Sequence, residues 1–179
     1  MIYFQTRNDF IQSLDKDLKV CEVGVFEGEF SEFILNEINP SELHLIDLFD
    51  GLSHSGDKDG KNIRHRNLNE VYEELKTKYM DQNVFIYKGN SHHILKRLPN
   101  NYFDLIYIDA DHSYESVRLD LDLSHKKIKS GGIIAGHDYI KENFSGVYRA
   151  VNEFCLENNL KIDFLTKDLC PTYGIIKNE

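Results

Sequence analysis

Long apolar runs and cysteines are scarce in this 179-residue sequence. No segment approaches the roughly 18–20 apolar residues that a membrane-spanning helix needs, so we expect no membrane span. The N-terminal segment MIYFQTRNDF has no basic region before an apolar stretch, so we expect no secretory signal. Cys21, Cys155 and Cys170 are scattered and lack the spacing of a zinc site. Such cysteines are typical of reduced thiols and predict a cytoplasmic protein.

Positive charge is also scarce, since 21 lysines and arginines face 30 aspartates and glutamates, for a net charge of −9. Neutralising phosphates requires a positive face, so we expect no general nucleic-acid binding. The dinucleotide fingerprint G-x-G-x-x-G is absent, because Phe26 stands in the place of its second glycine. The phosphate-binding loop G-x-x-x-x-G-K-S/T is absent as well, which argues against a nucleotide triphosphatase.

Short apolar segments alternate with helical patterns along the chain, an order typical of parallel β-α-β units. The segments predicted as strands are 18–23, 42–47, 83–87, 103–109, 132–136, 161–165 and 173–176. The segments predicted as helices are 5–16, 30–38, 68–79, 91–97, 114–127 and 147–155. No helix separates the last two strands, so we expect them to form an antiparallel hairpin. The pattern predicts one α/β domain over residues 1–179, with a mostly parallel seven-stranded sheet and helices on both faces.

A glycine-containing turn connects the first predicted strand to the next helix, in the segment Glu22–Gly28. Gly24 allows a tight bend and lets a ligand lie against bare backbone. Free N–H groups at the helix start near Gly28 favour an anionic ligand group. Asp47 ends the second strand, where a carboxylate can accept hydrogen bonds from both hydroxyls of a ribose. Glycine turns also occur for packing alone, but Asp47 at the neighbouring strand end favours a ligand site.

Five motifs follow one another along most of the chain. They are Glu22–Ser31 (EVGVFEGEFS), Leu45–Asp47 (LID), Lys88–Ser91 (KGNS), Phe103–Tyr114 (FDLIYIDADHSY) and Gly131–Tyr139 (GGIIAGHDY). In this order and spacing the chain resembles the class I S-adenosylmethionine-dependent methyltransferases. In particular it is similar to the branch called methyltransferase family 24, which is related to the sugar O-methyltransferases of macrolide pathways. The resemblance implies a Rossmann-like fold, with S-adenosylmethionine as the cofactor.

The resemblance also implies which residues hold the cofactor. The predicted cofactor-binding residues are Glu22, Gly24, Phe26, Gly28, Asp47, Leu48, Asn90, Ser91 and Asp109. The turn residues would surround the methionine part, Asp47 would hold the ribose, and Asn90 with Ser91 would lie beside the adenine. Many relatives carry an acid where this chain has Asn90, and many carry a glycine where it has Phe26. The adenine contact is therefore the part of the implied site that departs most from the family pattern.

Titratable side chains follow the fourth and fifth predicted strands, at the same edge of the sheet as the glycine turn. Asp109, Asp111 and His112 follow the fourth strand, and His137 and Asp138 follow the fifth. Methyl transfer to a hydroxyl needs acceptor and donor in line and a base for the proton. His112 is the predicted base because imidazole titrates near neutral pH, with Asp109 or Asp111 orienting it and His137 as the second choice. Alternatively these residues belong to ordinary polar loops, with Asp109 capping the next helix.

A magnesium ion is a further expectation for this edge. Asp109 and Asp138 would bind Mg²⁺, which would lower the pKa of the acceptor hydroxyl. Related O-methyltransferases place metal carboxylates after these two strands, although His137 stands where some have an acid. We expect a small-molecule or sugar hydroxyl as the acceptor, with residues 51–66 as a lid over it. An NAD-binding Rossmann-like enzyme and a non-catalytic cofactor-binding module are the alternatives, and a homo-oligomer is left open.

Overall fold

The computed structural model describes residues 1–53, 55–56, 63–141 and 145–178. Strands β1 to β10 are Ile2–Phe4, Lys19–Val23, Glu42–Asp47, Ser55–Gly56, Ile63–Arg64, Val84–Lys88, Phe103–Ile108, Ile128–Gly136, Phe164–Thr166 and Tyr173–Ile176. Helices α1 to α6 are Arg7–Gln12, Glu29–Ile38, Leu68–Lys78, Ser91–Arg97, Tyr114–Lys127 and Ser145–Glu157. Eight strands form one sheet in the order β1-β9-β10-β8-β7-β2-β3-β6, and β4 pairs with β5 separately.

The predicted Rossmann-like α/β fold is confirmed. The five strands β8, β7, β2, β3 and β6 are parallel neighbours, and β10 runs antiparallel to both β8 and β9. The C-terminal hairpin pairs Tyr173 with Leu165. An eighth strand that the sequence did not predict, β1, pairs in parallel with β9 at the edge of the sheet. Three residues are too few to show a period, so β1 could not be recognised from its pattern.

The first helix is shorter than the predicted 5–16. Thr6 begins it with a capping box, in which its side chain accepts a hydrogen bond from the Asp9 N–H and the Asp9 carboxylate accepts one from the Thr6 N–H. Such reciprocal pairing satisfies two helix N–H groups that have no partner inside the helix. The helix then ends at Ser13 rather than at residue 16. The side chains of Phe10 and Ile11 from this short helix are buried in the core beside the sheet.

Apolar side chains cover the sheet on both faces. Along β7, Leu105 and Tyr107 pack into one cluster with α1, α2 and α3, while Ile106 and Ile108 pack into the other with α4, α5 and α6. Burial on both faces explains the near-continuous apolar run of this strand. No helix among the described residues is long and apolar enough to cross a membrane.

The predicted lid, residues 51–66, lies partly outside the described residues. Within the part that is described, β4 pairs antiparallel with β5, and Leu52 forms a bridge with Asn67. Ser53 donates a hydrogen bond to the Glu27 carboxylate, and Arg66 Nη1 lies 3.4 Å from Glu27 Oε2. These contacts attach the base of the loop to the glycine turn after β2. The function of the segment as a lid stays a prediction, as does the extent of one domain over residues 1–179.

Candidate functional site

The turn after β2 brings two strand ends into close approach at Gly24. This residue has a φ of +94°, in the left-handed region that favours glycine. A Cβ built on Gly24 would lie 1.9 Å from the carbonyl oxygen of Asp109 and 2.8 Å from the Ala110 nitrogen. Any side chain at this position would therefore collide with the backbone that follows β7. The absence of a side chain leaves bare backbone facing the space above the strand ends.

Asp47 makes hydrogen bonds within the protein in addition to its predicted contact with the ribose. Its Oδ2 accepts hydrogen bonds from the N–H groups of Val25 at 2.8 Å and Phe26 at 3.0 Å. Its Oδ1 accepts one from the Phe49 N–H at 2.7 Å. An ionised carboxylate has about four acceptor positions. Three of them are used by the protein itself, so Asp47 fastens the glycine turn to the loop after β3 and retains about one position for a ligand hydroxyl.

A cavity of about 320 Å³ opens at the carboxyl ends of β2, β3, β6 and β7. The predicted cofactor-binding residues that line it are Gly24, Phe26, Asp47, Leu48, Asn90, Ser91 and Asp109. The predicted catalytic residue Asp111 lines it too, and so does Asp50, which the sequence reasoning missed. The volume is within the usual range for a small-molecule site. The structure thus brings most of the implied cofactor set to one cavity.

A second cavity of about 310 Å³ adjoins the first, since Gly24, Phe26 and Asp109 line both. Glu22, Arg7 and His112 line only the second of these two. Gly28 lines neither. A Cβ built on Gly28 would lie 2.8 Å from Leu75 Cδ2, so this glycine permits close packing of α2 against α3. Its predicted place beside the methionine part of a cofactor has no support from these two cavities.

Arg7 is the residue of this second cavity that sequence reasoning missed. Its Nη1 lies 3.3 Å from Asp109 Oδ2, and its guanidinium lies 4.3 Å from the centre of the Phe30 ring. A guanidinium that stacks on an aromatic ring and pairs with a carboxylate is held in one orientation. The local sequence around Arg7 does not indicate this role, because Arg7 belongs to α1 and contacts Asp109 only in the folded protein.

Glu22 is a buried carboxyl group below the turn. Only 1% of the residue is exposed, and the Ser31 hydroxyl donates a hydrogen bond to its Oε2. Burial raises the pKa of Glu22 to about 8, although the Ser31 hydrogen bond acts in the opposite direction. In the folded protein near neutral pH this carboxyl group is therefore largely protonated.

A Glu22→Gln variant is expected to resist unfolding better than the natural protein at alkaline pH. A raised pKa means that the folded state holds an extra proton between about pH 4.5 and pH 8, so stability falls as pH rises through this window. The free energy of unfolding of the natural protein should decrease by on the order of 3–5 kcal/mol across this window. Glu22→Gln should show no such decrease, because glutamine does not titrate. Urea unfolding at two pH values on either side of the window would measure it. Glu70→Gln, at an exposed position of α3, is the control, and equal pH dependence of all three proteins would contradict the prediction.

Two histidines and two aspartates meet where β7 and β8 end. His112 Nε2 lies 3.1 Å from Asp138 Oδ2 and 3.8 Å from Asp109 Oδ1. His137 Nδ1 lies 3.3 Å from Asp138 Oδ2 and 3.8 Å from Asp109 Oδ2. The aspartates raise the pKa of His112, Asp109 having the largest effect, while His137 and His112 lower the pKa of Asp138. The predicted convergence of these side chains is present in the structure.

Asp111 has a different partner from the one proposed for it. Its carboxylate accepts hydrogen bonds from the N–H and the hydroxyl of Ser113, at the start of α5. Ser113 is the N-cap residue of α5, so Asp109 does not have the capping position that the alternative interpretation gave it. Asp109 and Asp138 carry the described ion pairs to His112 and are better placed to orient it.

A metal ion could be held by the same group. Asp109, His137 and Asp138 each offer one ligand atom, and these atoms lie within 4.8 Å of one another. Magnesium takes oxygen ligands, whereas imidazole suits transition metals such as Fe²⁺, Ni²⁺ or Zn²⁺. The donor set of two carboxylates and one imidazole therefore fits a transition metal better than Mg²⁺.

Comparison with known proteins agrees with this description of the fold. A family model described as a methyltransferase domain matches residues 21–139 of the 179. A protein of Acanthamoeba polyphaga mimivirus without assigned function is 29% identical in a 157-residue alignment that covers 85% of this chain and 66% of that protein. The chain thus spans just under two thirds of the length of this relative.

Solved methyltransferase structures share the fold at low sequence identity. A precorrin-6y C5,15-methyltransferase from Geobacter metallireducens has a TM-score of 0.65 at 15% identity, covering 94% of this chain and 85% of its own. An rRNA methylase from Streptococcus thermophilus has a TM-score of 0.64 at 11% identity, covering 97% and 95%. A protein from Streptococcus mutans, assigned as a methyltransferase and solved with S-adenosylhomocysteine, has a TM-score of 0.66 at 13% identity, covering 94% of both chains.

The sheet, the glycine turn and the cavity at the strand ends define the class I S-adenosylmethionine-dependent methyltransferase fold. The chain belongs to the methyltransferase domain family that the match over residues 21–139 identifies.

Proposed function

We propose that this protein transfers a methyl group from S-adenosylmethionine to a hydroxyl group of a small molecule or sugar. The proposal rests on one observation: the two cavities at the strand ends share part of their lining. Gly24 and Asp109 line both the cavity that contains Asp47 and Ser91 and the cavity that contains His112. A ligand lying across Gly24 would therefore present its reactive centre to the histidine and aspartate cluster.

The two cavities suit different parts of the cofactor. S-adenosylmethionine supplies an electrophilic methyl group on a sulfonium centre. Asp47 has about one acceptor position left for a ribose hydroxyl, and Asp50 adds a second carboxylate on the same cavity. The second cavity combines Arg7 with the acids Glu27 and Glu29, so it can accommodate a carboxylate and an ammonium group together. These residues bind and orient; none of them needs to react.

His112 would accept the proton of the acceptor hydroxyl. Asp138 and Asp109 orient its imidazole and stabilise the positive charge that the ring gains. His137 contacts the same two carboxylates and is the second candidate for this task. Positioning of acceptor and donor in line accounts for the rest of the expected rate gain.

A divalent cation is a second candidate part of the reaction site. Asp109 and Asp138 would hold it, as the sequence predicts for Mg²⁺, and His137 would be a third ligand. It would act by lowering the pKa of the acceptor hydroxyl. Its ligand set favours Fe²⁺ or Zn²⁺ over Mg²⁺, because one of the three donors is an imidazole nitrogen.

The charge of the chain supports a small acceptor. With a net charge of −9, a large polyanion such as RNA would be repelled unless a basic face bound it. The structurally similar proteins include enzymes for rRNA and for a precorrin, so the fold itself permits either kind of acceptor. Three free cysteines, of which Cys21 and Cys155 are buried, support a cytoplasmic location.

Calorimetric titration with S-adenosylhomocysteine tests the cofactor part of the proposal. The natural protein is expected to bind it, and Asp47→Ala to bind it at least about 100-fold more weakly, because both loops around the cavity lose their common acceptor. Asp47→Asn retains an acceptor oxygen and should lose less. Exposed Asp81→Ala is the control for a charge removed elsewhere. Binding of NADH in place of S-adenosylhomocysteine by the natural protein would favour the dinucleotide alternative instead.

A further inference from the structure

A carboxylate is buried behind the wall of the first cavity, on helix α5. The side chain of Asp120 is 1% exposed, and its Oδ1 accepts a hydrogen bond from the Ser91 hydroxyl at 2.9 Å. His92 Nε2 lies 3.4 Å from the same oxygen. Oδ2 of Asp120 has no hydrogen-bond partner among the described residues. Burial of a carboxylate with so few hydrogen-bond partners destabilises the folded state, which indicates that Asp120 has a function beyond packing.

Asn90, the residue expected to contact an adenine amino group, is already engaged. Its Oδ1 accepts hydrogen bonds from the N–H groups of His92 at 3.0 Å and His93 at 3.4 Å, and so caps helix α4. This leaves the Asn90 side chain with two amide N–H donors as its main free groups. An exocyclic amino group is itself a donor and needs an acceptor. The neighbouring Ser91 hydroxyl, which also lines the cavity, is the alternative.

The direction of the Ser91 hydrogen bond decides what this hydroxyl can do. A serine hydroxyl has one hydrogen and two lone pairs, and an ionised carboxylate can only accept. Because the hydrogen of Ser91 points to Asp120, the lone pairs remain for a partner in the cavity. The Ser91 hydroxyl is thereby held in an orientation in which it can only accept a hydrogen bond from a ligand in the cavity. A free serine, in contrast, could rotate and donate to a carbonyl equally well.

We propose that Asp120 is a positioning residue that holds the Ser91 hydroxyl as the acceptor for the exocyclic amino group of the cofactor adenine. This inference rests on the proposed function, since it requires an adenosyl ligand in the cavity. Asp120 touches no ligand in this scheme and acts through Ser91 alone. The pair takes the task that a carboxylate at position 90 performs in many related chains.

The test compares two ligands that differ only at the base. S-inosylhomocysteine carries a carbonyl oxygen where S-adenosylhomocysteine carries the amino group, so it offers an acceptor instead of a donor. Calorimetry at about pH 8, where an aspartate is ionised even if burial raises its pKa, would give both affinities. The natural protein should prefer the adenosyl ligand by about tenfold or more, the effect of one well-formed hydrogen bond.

Ser91→Ala and Asp120→Ala should both bring this preference close to one. Ser91→Ala should do so mainly by weakening the binding of the adenosyl ligand. Ser124→Ala is the matched control, because Ser124 is a buried serine on the same face of α5 whose hydroxyl has no described partner. It should keep the preference. Thermal unfolding of each variant checks the fold. If Asp120→Ala does not fold, Asp120→Asn, which retains an acceptor oxygen but can also donate to Ser91, should show a smaller loss of the preference.

The experiment distinguishes failure of this inference from failure of the proposed function. If both ligands bind but the variants weaken them equally, the preference is unchanged, Asp120 only ties α5 to α4, and the inference is overturned. If the natural protein binds neither ligand, the proposed function is overturned, and this inference with it. Loss of preference in Ser124→Ala as well would also overturn it, because any disturbance of α5 would then have the same effect.

Discussion

A Gly24→Ala variant is expected to lose both stability and cofactor binding. The methyl group would have to lie 1.9 Å from the Asp109 carbonyl oxygen, so the ends of β2 and β7 would be forced apart. Overpacking of this kind against backbone should cost more than about 3 kcal/mol in the free energy of unfolding. Affinity for S-adenosylhomocysteine should fall at least about 100-fold, because the displaced backbone forms the wall of both cavities. Urea unfolding and calorimetry measure the two effects.

Gly131→Ala separates collision from backbone strain. Gly131 has a φ of +76°, similar to the +94° of Gly24, but a Cβ built on it meets nothing within 4 Å. This control should therefore show only the left-handed penalty of about 1–2 kcal/mol and unchanged affinity. If Gly24→Ala were no worse than Gly131→Ala on either measurement, the close approach of the two strand ends would not matter for the site.

Replacement of His112 by alanine is expected to remove turnover while leaving cofactor binding intact. General-base catalysis by a positioned side chain contributes about 10²–10⁴-fold, so kcat should fall by that factor. Binding should largely persist because Asp47, which would hold the ribose, lines the first cavity, and His112 does not line that cavity. The measurement is methyl transfer to a panel of hydroxyl acceptors, with S-adenosylhomocysteine affinity measured in parallel.

His137→Ala and the exposed His93→Ala complete this comparison. His137→Ala should have the smaller effect if His112 is the base, and His93→Ala should have none. A larger loss in His137→Ala would exchange the roles of the two histidines. A chelator added to the natural protein tests the cation separately: full turnover in its presence would exclude a required metal at Asp109 and Asp138. A kcat of His112→Ala equal to that of the natural protein would exclude His112 as the base.

Much of the site could be predicted because the relevant signals are local. A residue that ends a strand is recognisable from the apolar run before it, and parallel strands end at the same edge. Gly24 and Asp47 were found in this way, as were His112 and His137. The structure places Gly24 and Asp47 on the first cavity and His112 on the adjoining one, and His137 contacts the same two aspartates as His112. Gly28 was found by the same signal, yet it packs against Leu75, because spacing does not distinguish a glycine that faces a ligand from one that faces a helix.

The sequence by itself determined the order of strands and helices, the C-terminal hairpin and the strand ends that carry the polar residues, because periodicity and turn chemistry act over a few neighbouring residues. Only the tertiary structure decided which partners those residues have. Arg7 meets Asp109 across 102 positions and Ser91 meets Asp120 across 29. The Asp47 carboxylate fastens a turn 22 positions away. A hydrogen bond depends on distances and directions of a few tenths of an ångström between such segments, and these exist only once the sheet has assembled.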